Sequence, residues 1–154
     1  MGIHLRQQGV EDEPFLDRLY ISTRWEELQV VPWPDEGKLA FLIQQRQFQA
    51  THYAAHYADA AFDVIEVAGA PAGRLYLLRS AGDYRVVDIS LLPEFRNRGI
   101  GAALLRAVGA EARAVGARVS VHVEVVNPAR RLYDRIGFVQ AADKGPYLLM
   151  EWTP

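Results

Sequence analysis

The spacing of apolar positions changes character twice along the 154 residues of the chain. Ile3 to Arg6 fits a short first strand, after which Pro14, Phe15, Leu16, Leu19 and Tyr20 recur at helical spacing to about Arg24. Pro32 and Pro34 stop that helix. From Asp35 a second helix carries Leu39, Leu42, Ile43, Phe48, Tyr53 and Tyr57 on one apolar and aromatic side, over a run long enough to be kinked or split. Beyond Tyr57 the period becomes that of extended chain. Phe62–Val67, Gly73–Leu78 and Arg85–Leu92 are rich in β-branched and aromatic residues, and the turn chemistry of Gly69–Pro71 and Ala81–Asp83 between them predicts three antiparallel strands. Helical spacing returns at Ile100, Leu104, Leu105, Val108, Ala112 and Val115, and Gly116 offers the left-handed end. Val119–Val125 alternates as a strand. Asn127 and Pro128 then suit the cap and first residue of a short helix over 128–136 closed by Gly137, followed by Phe138–Gln140 and Pro146–Trp152 as a last strand or pair of strands.

The resulting order, β-α-α-β-β-β-α-β-α-β-β, belongs to the α/β class, with a mixed sheet and helices on both faces. Breaks rich in Pro and Gly are short and no repeat occurs, so 1–154 is expected to form one domain. No stretch approaches the roughly 20 apolar residues of a membrane span, and charges appear from His4 and Arg6 onward. A soluble, cytoplasmic chain without a membrane partner is the expectation. The absence of cysteine excludes a disulfide framework, a thiolate metal site and a cysteine nucleophile.

Charge sharpens the picture. The formal net charge of -2 gives no cationic excess for coating nucleic acid. Residues 1–77 carry six basic and eleven acidic side chains, whereas 78–154 carry eleven and eight, so the second half suits an anion. Lys38 and Lys144 are the only lysines; the remaining cations are arginines, whose planar fork matches phosphate or carboxylate.

Leu91-Leu92-Pro93-Glu94-Phe95-Arg96-Asn97-Arg98-Gly99-Ile100-Gly101 leads from a strand into a helix. The first turn of a helix leaves backbone N–H groups without partners at the positive end of the dipole, a layout that binds phosphate. A P-loop fails because Ala102 and Ala103 follow Gly101 in place of Lys and Ser or Thr. A dinucleotide fingerprint is a poor match because position 104 is Leu and three antiparallel strands come first.

Arg96-x-x-Gly99-x-Gly101, preceded by Leu-Leu-Pro-Glu and followed after one strand by Asn127-Pro-Ala-Arg-Arg-Leu-Tyr133-Asp-Arg-Ile-Gly137-Phe138, resembles the GNAT N-acetyltransferase superfamily over about Arg85 to Phe138. The resemblance implies the GNAT-like acyl-CoA N-acyltransferase fold and acetyl-CoA as donor. It also implies that backbone N–H groups of Arg98, Gly99, Ile100, Gly101, Ala102 and Ala103 hold the pyrophosphate, with Arg96, Asn97 and Arg98 at the rim. Strand 85–92 would splay from strand 119–125, and an N–H at Leu91 or Leu92 would polarise the thioester carbonyl. Tyr133 matches the residue that protonates the departing thiolate in many members, and Asn127 a position that often touches the coenzyme arm, although N-capping alone explains an Asn there.

The acceptor side is less marked. Attack needs an amine that has lost its proton, and Asp88, Glu124 and His122 are the polar groups on the two central strands that offer a base or a substrate contact. Strand parity sets Asp88, Ser90 and Leu92 on one face and Val87, Ile89 and Leu91 on the other. Glu26 and Glu27 near the end of the first helix, with Gln49 and Tyr53 on the second, occupy the region where this family builds acceptor specificity. The acidic first half would favour a cationic amine. The expected activity is acetyl transfer to a primary amine of a small molecule by direct attack in a ternary complex, with no metal; a peptide acceptor and a non-catalytic acyl-CoA sensor are the alternatives. A homodimer through the terminal strand, with Met150 and Trp152 at the seam, is the expected assembly.

Overall fold

A computed structural model describes residues 2–125 and 127–154. The chain runs β1 (Ile3–Gln7), α1 (Glu13–Arg24), α2 (Asp35–His56), β2 (Ala61–Val67), β3 (Ala70–Ser80), β4 (Asp83–Leu91), α3 (Ile100–Ala114), β5 (Arg118–Glu124), α4 (Arg130–Ile136), β6 (Val139–Lys144) and β7 (Tyr147–Trp152), with short 3-10 turns at Val10–Asp12, Glu26–Val30 and Pro93–Phe95. One seven-stranded sheet has the order β1-β2-β3-β4-β5-β7-β6. Every neighbouring pair is antiparallel except β4 and β5, which α3 connects as a crossover. No helix among the described residues is long and apolar enough to cross a membrane.

The expected order of elements is the order observed, while several bounds move. Helix α2 is unbroken over 22 residues. The last pair of strands differs most, because β6 runs to Lys144 and pairs with β7 throughout, whereas the sequence pattern stops at Gln140. Strand β6 is the sheet edge, where the polar and small letters of Ala141–Lys144 face solvent and no apolar alternation is required. Phe138, read as part of that strand, turns inward instead and is buried beside Tyr133.

Two apolar layers flank the sheet. On one side Leu104, Leu105, Val108 and Ala112 of α3 pack onto Val86, Val119, Val121 and Val123. On the other, Leu16, Leu19 and Tyr20 of α1, Leu42 of α2, Val64 and Tyr76 are buried outside that cluster. Arg46 of α2 is itself buried and ties α1 to α2 through Asp17, whose Oδ1 accepts from Nε at 2.6 Å, and through Glu13.

A β-bulge in β4 decides which way its polar residues point. Tyr76 pairs with Asp88 and Leu77 with Val86, so Val87 is an extra residue with no partner on β3. Before the bulge Tyr84 and Val86 face α3; after it Ile89 and Leu91 pack on that same core, which sends Asp88 and Ser90 to the α1–α2 side. Simple alternation from Tyr84 would have driven the Asp88 carboxylate into the α3 core.

Of the two residues expected at a homodimer seam, Met150 is buried and Trp152 is half-buried. Met150 is 2% exposed, and the Trp152 indole sits in a slot between the backbones of Gly109 and Gly137. A Cβ on Gly109 would overlap the six-membered ring of Trp152. Gly109→Ala is therefore expected to cost about 1–3 kcal/mol, read as a lower urea midpoint at unchanged slope. A second prediction concerns Asp12, which accepts from Arg6 Nη1 at 2.8 Å, Arg6 Nη2 at 2.7 Å and the Gly9 N–H at 2.8 Å. The Arg6 hydrogen bonds hold its pKa below the ordinary 3.8. A depressed carboxyl contributes stability that is present above pH 3.8 and lost as pH falls through the folded-state value. Asp12→Asn should be less stable than the parent at pH 7, with the difference closing as the parent is acidified through that window in calorimetric scans.

Candidate active site

The loop from Leu92 to Gly99 and the start of α3 form one end of the site. Asn97 has φ 60° and Gly99 φ 79°, and such an alternation of left-handed residues turns successive N–H groups to one side as an anion-binding concavity. An ideal Cβ on Gly99 meets nothing within 4 Å, so the concavity faces open space. Ile100, Gly101 and Ala102 open the helix and have no intrahelical acceptor for their N–H groups. Ala103, expected to contribute a fourth, instead donates to the Gly99 carbonyl at 3.0 Å. Gly101 serves packing as well, because a Cβ there would lie 3.3 Å from Leu132 of α4. Arg96 donates from Nε to the Leu91 carbonyl at 2.9 Å and stitches the loop to β4, while the Arg98 guanidinium stacks over Phe95. The cradle fits a pyrophosphate by shape and dipole.

Between the central strands the backbone is open. The parallel pairing of β4 with β5 ends at Val86 and Val121, although β4 continues to Leu91 and β5 to Glu124. Leu92 donates its N–H to the Ala72 carbonyl at 2.8 Å and so is not available to a thioester, which corrects one of the two expected donors. Antiparallel hydrogen bonds alternate sides, so the neighbouring Leu91 N–H points away from β3 and toward the gap that β5 has left.

Tyr133 stands on α4, 4% exposed and edge-on to Phe138 at 5.3 Å. Its hydroxyl makes no hydrogen bond among the described residues, yet it is not one of the fully enclosed polar atoms. Burial, with the charge of Asp88 behind it, pushes its pKa well above the usual phenol value, so it stays protonated through the ordinary alkaline range. Asn127 is exposed and accepts from the Ala129 N–H at 2.9 Å, the capping geometry of a turn that leads into α4.

Three polar candidates meet different fates on the acceptor side. Asp88 is bound by Arg74, a 4% exposed residue of β3, at 2.5 Å, and Arg74 also donates to Gln49 of α2 at 2.7 Å and stacks over Tyr76. Tyr53 packs edge-on to Tyr76 at 5.9 Å, so Gln49 and Tyr53 do reach this network. His122 is exposed, and its Nδ1 lies 3.2 Å from Arg85 Nη1. Accepting from arginine puts the proton of the neutral ring on Nε2 and leaves Nδ1, the only nitrogen that could take a proton, engaged by that guanidinium. Burial, then Arg85 and Lys144, hold that ring's pKa below the usual 6.5. Glu124 is bound only at 3.4 Å, by Arg24 of α1, and its side chain keeps 35% exposure. Glu27 lies 3.5 Å from the same Arg24, and Glu26 is exposed on the 3-10 turn.

Sequence reasoning passed over Arg24, Arg74 and Arg85, the partners of all three candidates. The available signal was a charged letter inside a strand that also reads as buried: Arg74 stands between Gly73 and Leu75, and Arg85 between Tyr84 and Val86. Removing Asp88 strands a buried guanidinium, whereas Glu124 belongs to a loose, partly exposed pair. Asp88→Ala is expected to lower stability by about 3 kcal/mol and Glu124→Ala by less than about 1 kcal/mol, both read from urea midpoints.

The comparisons with known proteins agree with this geometry. PaiA N-acetyltransferase from Thermoplasma acidophilum, solved in complex with coenzyme A, superposes with TM-score 0.71 at 19% identity and 99% coverage of both chains. An acetyltransferase from Thermus thermophilus gives TM-score 0.69 at 20% identity, covering 99% of this chain and 96% of that one. A spermidine N-acetyltransferase chimera from Vibrio cholerae gives 0.66 at 19% identity, with 99% and 95% covered. No curated protein matches by sequence. The model of the acetyltransferase (GNAT) domain matches residues 56–140, more than half of the chain and the stretch that holds the bulged strand, the phosphate cradle and Tyr133; the chain belongs to the GNAT acetyltransferase family.

Proposed function

We propose that the protein transfers an acetyl group from acetyl-CoA to a primary amine of a small molecule by direct attack within a ternary complex. The observation that carries this reading is the parting of β4 from β5, with the α3 cradle beyond the end of β4 and a Tyr133 hydroxyl, without a hydrogen-bond partner among the described residues, that feels the charge of Asp88 on β4. In this assignment the N–H groups from Arg98 to Ala102 hold the pyrophosphate, and the Leu91 N–H donates to the thioester carbonyl as charge builds on its oxygen.

The amine nitrogen bonds to the thioester carbon, the carbon–sulfur bond breaks, and the sulfur leaves with the electron pair. Tyr133 gives its proton to that sulfur and recovers one from water. Burial keeps the phenol protonated while the thiolate forms; the same burial makes it a weaker acid, so the transfer draws on the charge that builds on sulfur as the carbon–sulfur bond breaks. On the other face Glu124 takes the proton that the amine sheds, directly or through water. Its long contact to Arg24 and its partial exposure favour it over Asp88, which Arg74 binds, and over His122, whose Nδ1 is taken by Arg85.

Two outcomes test the reading. Acetyl-CoA at ~100 times its dissociation constant should stabilise the protein by about 2.7 kcal/mol, several degrees in melting temperature, where NAD and ATP do not. Tyr133→Phe should bind acetyl-CoA normally while kcat falls by about tenfold or more; unchanged kcat at several pH values removes the acid role.

A further inference from the structure

Three of the carboxylates on the acceptor side lie against arginines. Asp88 belongs to Arg74, and Glu124 and Glu27 share Arg24. Arg85 is different. It makes no ion pair among the described residues, and its contacts are neutral: Nε donates to Ser120 Oγ at 2.7 Å and Nη1 lies 3.2 Å from His122 Nδ1. Ser120 is 1% exposed and donates in turn to Asp83 at 2.9 Å, so the guanidinium is held from behind by a fixed hydroxyl.

Arg85 lies on the same side of the sheet as Asp88, because residues 84 and 86 face α3 and the bulge at Val87 reverses the alternation beyond them. There the β5, β7 and β6 end of the sheet carries exposed His122, Tyr147 and Lys144. His122 and Glu124 share this face of β5, about 7 Å apart along the strand, and Glu124 is cross-strand from Tyr147, which pairs with Lys144. A cation with no carboxylate partner among the described residues therefore shares this face of the sheet with the group that meets the amine.

We propose that the acceptor carries its own anionic group beside its amine, a carboxylate or a phosphate, and that Arg85, assisted by Lys144, binds that group. The inference rests on the reading of Glu124 and the β4–β5 gap given above, and it narrows the acceptor from amines in general to zwitterionic ones. A polyamine would set a second cation against Arg85.

The test is acetylation of matched pairs that differ by the anionic group: lysine against cadaverine, and phosphoethanolamine against ethanolamine. CoA release is followed, and acetyl-CoA binding is measured in parallel by calorimetry. Expected is a preference of about tenfold or more in kcat/KM for the anionic member of at least one pair, and which pair responds distinguishes carboxylate from phosphate. Arg85→Gln, which can still reach Ser120, should erase that preference through KM, and Lys144→Gln, on an exposed side chain, should weaken it about threefold. Preference for cadaverine or ethanolamine, equal loss on both members in Arg85→Gln, or an inert panel despite bound acetyl-CoA overturns this inference alone. Failure of the parent to bind acetyl-CoA overturns the donor assignment along with it.

Discussion

Val86 is the last residue of β4 to pair with β5, and Val87, the next in the chain, is the bulged one. The two facts have one cause. An extra residue raises the local twist and breaks the hydrogen-bond ladder, so a strand that bulges cannot continue in register with a parallel neighbour. The gap between β4 and β5, the exposure of the Leu91 amide and the direction of Asp88 all follow from that single insertion. Antiparallel pairing with β3 survives the bulge as far as Leu91, which keeps the diverging strand anchored on its other edge.

Charge is arranged on the same plan. The acidic first half of the sequence suggests an anionic cleft, yet the fold sets five of its eleven carboxylates against arginines: Asp12 and Glu66 on Arg6, Glu13 and Asp17 on Arg46, Glu27 on Arg24. Net charge counted along a segment therefore says little about the field at the site, where the nearest pairs decide. Arg46 and Arg74 are both nearly enclosed, and each is held by more than one oxygen, the condition under which a buried guanidinium is tolerated.

Much of this fold is written in periodicity. The switch from helical to extended spacing after Tyr57, the helix from Ile100 and the cap at Gly116 are visible as letters, because each depends on neighbours a few positions away. The left-handed turns of the loop over residues 96–101 were legible for the same reason, because glycine spacing reports backbone directly. What stayed hidden depends on pairing across strands. Nothing local to Val87 announces a bulge, and the donation of the Leu92 amide to Ala72 follows from the register of β3 against β4. Arg74 and Arg85 were passed over because a charged letter in a strand says nothing of its partner until the sheet is assembled. The inward turn of Met150 and Trp152 was missed because the slot that receives the indole is made by Gly109 and Gly137, both distant in sequence.

The strand order places β7 between β5 and β6, so the edge strand β6 pairs only with a strand made after it. During synthesis, residues 139–144 emerge with no partner and wait for Tyr147–Trp152 to insert beside β5. The α3 core is likewise incomplete until Met150 and Trp152 arrive. An intermediate that lacks β7 exposes Val119, Val121 and Val123 along an unpaired strand edge, the kind of surface that recruits the same strand of another chain. Completion of the sheet from its interior makes the insertion of β7 the step that closes the strand edge and the α3 core together.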